Sequence, residues 1–184
     1  MKLAIVVGHN ARAQGAVRPD TGETEFVWNS RLAKMIDAAS KDFPAIDVKT
    51  FFRTPGGGYM EEIRRVYGET DDWGADATVE LHFNSHHNPS ATGTEVLSSG
   101  SSSSLRYCEA LQIRMLAALG LRDRGTKVVR TGRGSASLVS GRAPAALIEP
   151  FFGSSPKGQA ATDEPHEMRA LARAILVATQ DAFL

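Results

Sequence analysis

Leu3 to Val7 is an unbroken apolar, β-branched run, the pattern of a strand covered on both faces. A polar, glycine-containing loop is predicted from Gly8 to about Gly22. Thr24 can cap a helix, and Trp28, Leu32, Met35, Ile36 and Ala39 follow at three- and four-residue spacing as one apolar stripe. Ile46 to Phe52 alternates as a second strand, Arg53 to Gly58 turns, and Tyr59 to about Thr70 predicts a helix. Ala75 to Phe83 predicts a third strand with Val79, Leu81 and Phe83 on one face and Glu80 and His82 on the other. Gly93 to Leu97 predicts a short strand, and the serine run to Ser104 a loop feeding a helix. That helix carries Leu105, Cys108, Leu111, Met115 and Leu119 and closes at Gly120. Arg122 to Pro144, rich in glycine and arginine, shows no readable period. Ala145 to Glu149 predicts a short buried strand. A last helix runs from about Glu164 to Phe183, with Met168, Leu171, Ile175 and Ala178 inward. This alternation predicts one α/β domain over 1–184, a three-layer sandwich whose central, mostly parallel twisted sheet is flanked by helices.

Composition narrows the function classes. The 184 residues suffice for one domain with a sizeable core. Lysine plus arginine equals aspartate plus glutamate at 21 each, which gives no electrostatic reason to expect a nucleic-acid partner. The lone Cys108 excludes an internal disulfide and a four-cysteine zinc site, and its place on a helical stripe makes it a small buried apolar residue. No run approaches the roughly 20 apolar residues of a membrane span, so no stable membrane insertion is expected. Met1 to Val7 is too short for a signal-peptide core, which gives the expectation of a protein made and folded in a cytoplasm.

Four chemically capable groups fall on one predicted edge. Ligand sites of open α/β sheets lie beyond the carboxyl ends of the strands. His9 follows the first strand, His82 ends the third and Glu149 ends the last. Glu25 opens the first helix three residues before Trp28, and so heads its inward stripe. Singly, each has a bland reading: rim histidines, a first-turn glutamate suited to the helix dipole, half of a buried ion pair. Together, two histidines and a carboxylate form a common catalytic zinc shell with one position open to water, and a further carboxylate can move the proton. His86 stands four residues after His82, but Asn88-Pro89 argues against the helix a metal pair would need. Gly56-Gly57-Gly58 lacks the lysine of a phosphate loop, and Thr131 to Ser135 reads as a surface loop at the cleft.

At these residues the chain resembles the zinc-dependent N-acetylmuramoyl-L-alanine amidases of the third amidase family. Val6-Val7-Gly8-His9 with Gly15-Ala16 is similar to the opening motif, and Glu25 with Asn29 to the helix-borne glutamate. Leu81-His82-Phe83-Asn84 is similar to the strand ending in histidine, and Gly93-Thr94-Glu95-Val96 to the glycine-led strand after it. Pro144 to Phe152 is similar to the terminal strand with its glutamate. The resemblance implies one zinc ion per chain on His9, Glu25 and His82, catalysis by Glu149, and peptidoglycan as substrate. Single-domain size, with no export signal and no separate wall-binding module in the sequence, suggests a phage-type endolysin that waits in the host cytoplasm and acts on the wall after release, and a monomer is expected. Departures are Asn10-Ala11 in place of a glycine pair, Glu80 where a small serine is common, and Pro150 after the catalytic glutamate. Two rivals remain open. A zinc amidohydrolase of small N-acyl amino acids would need a narrow pocket with a carboxylate-binding arginine, for which Arg12, Arg53, Arg64 and Arg142 are candidates. A non-catalytic wall-binding domain would have a damaged site.

Overall fold

The computed structural model describes residues 1–184. Six strands form one sheet: β1 (Lys2–Val7), β2 (Asp47–Phe52), β3 (Ala77–Leu81), β4 (Thr94–Ser98), β5 (Asp123–Val128) and β6 (Ala145–Glu149), in the order β2-β1-β3-β6-β4-β5. Every pairing is parallel except β6 with β4, so the sheet is mixed but mostly parallel, as the alternation predicts. The central strands β1, β3 and β6 are buried on both faces, which is why they read as continuous apolar runs.

Helices cover both faces. On one, α1 (Glu25–Ser40), α3 (Ser102–Leu119) and the C-terminal helix α5 (Pro165–Phe183) pack their stripes onto Leu3, Ile5, Val7, Val79, Leu81 and Ile148. On the other, α2 (Tyr59–Trp73) packs Ile63, Val66 and Tyr67 onto Ala4, Val6 and Phe51, and the segment after β5 places Leu138 against Ala145 and Leu147. Thr24 caps α1 by accepting from the Val27 amide; Ser101 caps α3 in the same way, and Gly120 closes it in the left-handed conformation. No helix is long and apolar enough to cross a membrane.

Two elements differ from the sequence expectation. The segment from Arg122 contains the edge strand β5, whose Asp-Arg-Gly-Thr-Lys-Val sequence is polar because only one neighbour pairs with it and much of it meets solvent. A short helix α4 (Pro156–Ala160) precedes α5 and is too brief to show a period.

Candidate functional site

Because β1, β3 and β6 run parallel, their carboxyl ends open on one edge of the sheet. His9, His82 and Glu149 stand on or just beyond those ends. Glu25, the first residue of α1, reaches them from the helix side. Its placement follows from the loop between β1 and α1: the Glu25 amide donates to Ala16 O at 2.8 Å, and the Phe26 amide to Gln14 O at 3.0 Å.

The three side chains converge. Glu25 Oε2 lies 3.1 Å from His9 Nε2, and Glu25 Oε1 lies 2.8 Å from His82 Nδ1. One nitrogen from each ring and one carboxylate oxygen fall within 4.8 Å of one another. The cluster tolerates no extra bulk. His9 adopts a φ of 65°, uncommon outside glycine. A Cβ at Gly15, where φ is 79°, would sit 2.6 Å from Glu25 Oε2 and 2.7 Å from the His9 ring. A Cβ at Gly8 would sit 2.4 Å from His82 Cε1. The glycines flanking these side chains are therefore steric requirements of the cluster.

Electrostatics reinforce the grouping. Burial alone would raise the Glu25 carboxyl, but hydrogen bonds and charge from His82 and His9 outweigh it and hold the group at about 2. Burial lowers His82, yet the carboxylates of Glu25 and Glu80 together raise it well above the ordinary imidazole value. Glu149 behaves in the opposite way. Its Oε2 is buried with no hydrogen-bond partner. Burial raises this carboxyl to about 8, against the opposing charge of His82 and with the repulsion of Glu25, Glu95 and Glu80. One carboxylate held ionised beside another held protonated is the separation of roles that acid–base chemistry needs.

The four residues line a cleft of about 860 Å³, with Asn84, Arg53, Tyr59 and the rim residue Arg133 among its walls. Of Arg12, Arg53, Arg64 and Arg142, only Arg53 reaches it, and Arg53 is already paired with Glu62 at 3.0 Å. His86 and His87 stack on each other at 4.1 Å, exposed and outside the cleft lining. Cys108 is buried behind the sheet, and burial lifts its thiol to about 11.

Two supporting groups escape sequence reasoning. Asn10 donates to Glu62 at 2.8 Å and accepts from the amides of Arg12 and Ala13, pinning the loop after His9 to α2. Glu95 faces Glu149 across the antiparallel β4–β6 pair, bonded to Asn84 at 2.8 Å, to Arg124 at 2.6 Å and to Lys127. Neither network follows a periodicity, since each joins residues distant in sequence; the asparagine in place of glycine at position 10 was the one available signal.

The model of the family described as N-acetylmuramoyl-L-alanine amidase matches residues 3–181. No curated protein matches the chain. Among solved structures, the chain is similar to the catalytic domain of CwlV, an N-acetylmuramoyl-L-alanine amidase from Bacillus (Paenibacillus) polymyxa var. colistinus. That pair shares 22% identity at a TM-score of 0.82, covering 98% of this chain and 97% of the other. An N-acetylmuramoyl-L-alanine amidase from Clostridium difficile 630 aligns at 20% identity and TM-score 0.83, over 98% and 95% of the two chains. The catalytic domain of an endolysin targeting Clostridia difficile aligns at 23% identity and TM-score 0.82, over 98% and 97%.

Proposed function

The chain belongs to the N-acetylmuramoyl-L-alanine amidase family and is an enzyme of that class acting on peptidoglycan; from that premise we propose that it works with one zinc ion on His9, Glu25 and His82, with Glu149 as the group that moves the proton. The single observation that carries the metal assignment is the convergence of two imidazoles and one carboxylate within 4.8 Å. The donor set suits a borderline-soft divalent cation, and the orphaned Oε2 of Glu149 gives the buried cluster a polar neighbour that is not itself tied to a donor. Bound there, zinc supplies Lewis acidity toward a carbonyl oxygen and brings the pKa of water from 15.7 to about 7.

The protein's own groups supply the rest. The positive charge of a bound divalent cation would favour the ionised form of Glu149, which the metal-free site holds protonated. Ionised, it would accept the proton of the attacking water and return it to the alanine nitrogen as the amide breaks, so both halves of the reaction use one carboxyl group. An open cleft of about 860 Å³ suits a sugar–peptide junction better than the narrow pocket of a small N-acyl amino acid. The intact donor set speaks against a purely wall-binding role.

Further, we propose a phage-type endolysin role, with storage in a host cytoplasm and action on the wall after release. Its support is the similarity in fold to an endolysin catalytic domain. We also propose that it works as a monomer. The metal assignment is tested by stripping the protein with a chelator and restoring zinc: activity on purified peptidoglycan should vanish and return. Full activity in protein verified to be metal-free would overturn it.

A further inference from the structure

The ring of His82 lies between two carboxylates. Nδ1 faces Glu25 Oε1 at 2.8 Å, within the donor cluster, and Nε2 faces Glu80 Oε1 at 2.9 Å, away from it. A neutral imidazole has one N–H and one lone pair. If Nδ1 is to offer its lone pair to a cation, the proton must reside on Nε2, and that proton needs an acceptor. In the other tautomer, the Nε2 lone pair would stand 2.9 Å from a carboxylate oxygen with no proton between them. We propose that Glu80 is the positioning residue of this site, fixing His82 in the tautomer and ring orientation that present Nδ1 to the point shared with His9 and Glu25.

Glu80 is built for that task. It is 1% exposed, on the α2 face of β3, where an unpaired carboxylate would be costly. Its other oxygen accepts from the Tyr67 hydroxyl at 2.9 Å, and Tyr67 is equally buried. The carboxylate is thus held from behind by α2, with the buried Ser137 also beside it, and presents its other oxygen to His82. Gly8 lies against the ring, where an added Cβ would sit 2.4 Å from His82 Cε1 and 2.5 Å from Nε2. The arrangement is the carboxylate–histidine–metal pattern in which an outer partner orients the ligand. Position 80 departs from the small serine that is common in the resembled pattern.

Tyr67 extends the connection outward. Gly141 packs against its ring, where an added Cβ would lie 3.0 Å away, and the Arg142 amide donates to Asp71 Oδ1 at 2.9 Å. The segment that brings Arg133 to the rim of the cleft therefore rests on the same α2 surface that holds Glu80.

The inference rests on His82 being a metal ligand, and the test separates the two. Zinc affinity is measured by chelator competition for the wild type, Glu80→Gln and Tyr67→Phe, alongside thermal unfolding of each metal-free protein. Glutamine keeps the size and the packing but replaces the charged acceptor with a neutral amide that can equally donate to Nε2 and so admit the other tautomer; a merely structural role for Glu80 would survive it. The expected result is zinc binding weaker by about 10–100-fold in Glu80→Gln, a smaller loss in Tyr67→Phe, and a metal-free fold that still melts cooperatively. In the zinc-loaded wild type, ¹⁵N spectra of His82 should show the proton on Nε2. Zinc binding by Glu80→Gln within twofold of the wild type, or a proton on Nδ1, would overturn the positioning role while leaving the metal site standing. Should Glu80→Gln fail to fold, unchanged affinity in Tyr67→Phe overturns it instead. A wild type that binds no zinc would sink both readings.

Discussion

Replacing Glu149 by glutamine should remove activity and, in the metal-free protein, raise stability at neutral pH. The side chain ends β6 with Oε2 buried and unbonded. Burial lifts its carboxyl from 4.5 to about 8, against the opposing charge of His82 and assisted by Glu25, Glu95 and Glu80. The unfolded chain thus releases this proton near 4.5 and the folded chain near 8. Between those values the folded state binds more protons, so this group's contribution to stability falls as pH rises through the window. At 1.36 kcal/mol per pH unit, its ionisation would cost about 5 kcal/mol above pH 8 and about 3 kcal/mol at pH 7. Partial exposure of the side chain screens the charge and reduces the neutral-pH figure to about 2 kcal/mol. Glutamine carries no such pH-dependent cost. Urea unfolding of metal-stripped wild type and Glu149→Gln at pH 5 and pH 7 isolates the effect, because all other titrating groups are shared. The wild type should lose about 2 kcal/mol relative to the variant between those two values, while the zinc-loaded variant loses roughly 10²–10⁴ in rate. Parallel stabilities at both pH values would refute the claim that Glu149 is held protonated by its surroundings.

Other substitutions probe the rest of the site. His82→Ala should lower metal content and abolish hydrolysis, read by elemental analysis and turbidity of a wall suspension; full metal occupancy with normal activity would contradict the ligand assignment. Gly15→Ala meets a φ of 79° and crowds Glu25 and His9, so it should weaken zinc binding without a change in far-UV circular dichroism; unaltered affinity would show that the loop has room to yield. Trp28→Ala empties the space against Phe83 and Phe151, whose ring centroids lie 6.1 and 4.7 Å away. It should cost about 3–5 kcal/mol in denaturant unfolding, and a loss under about 1 kcal/mol would mean that this cluster does not anchor α1.

The fold was largely legible because its central strands are covered on both faces and its long helices carry one clean stripe each, as with Leu3 to Val7 and the residues from Trp28 to Ala39. The edge strand β5 was not, since Asp123 to Val128 is polar on an edge with a single partner. The positions of His9, His82 and Glu149 were readable because parallel strands share a carboxyl edge, and each residue closes an apolar run. Glu80 was placed on the correct strand, but nothing local tells that its carboxylate is buried between Tyr67 and His82. The same holds for Asn10, Arg53 and Glu62, whose hydrogen bonds join a loop, a strand end and a helix.

The chemical identity of the ends created in digested peptidoglycan bears most directly on the account. A site that polarises a carbonyl and protonates a leaving nitrogen cleaves an amide, and the family assignment selects the amide joining N-acetylmuramic acid to L-alanine. Glycosidic cleavage would instead use two carboxylates flanking an oxocarbenium-like state, and Glu25 is bonded to both histidines and cannot serve as one of them. Purified walls treated with the enzyme should release free L-alanine amino groups in step with clearing and no new reducing sugars. Reducing ends that appear at the rate of clearing, without new alanine amino groups, would contradict the central claim.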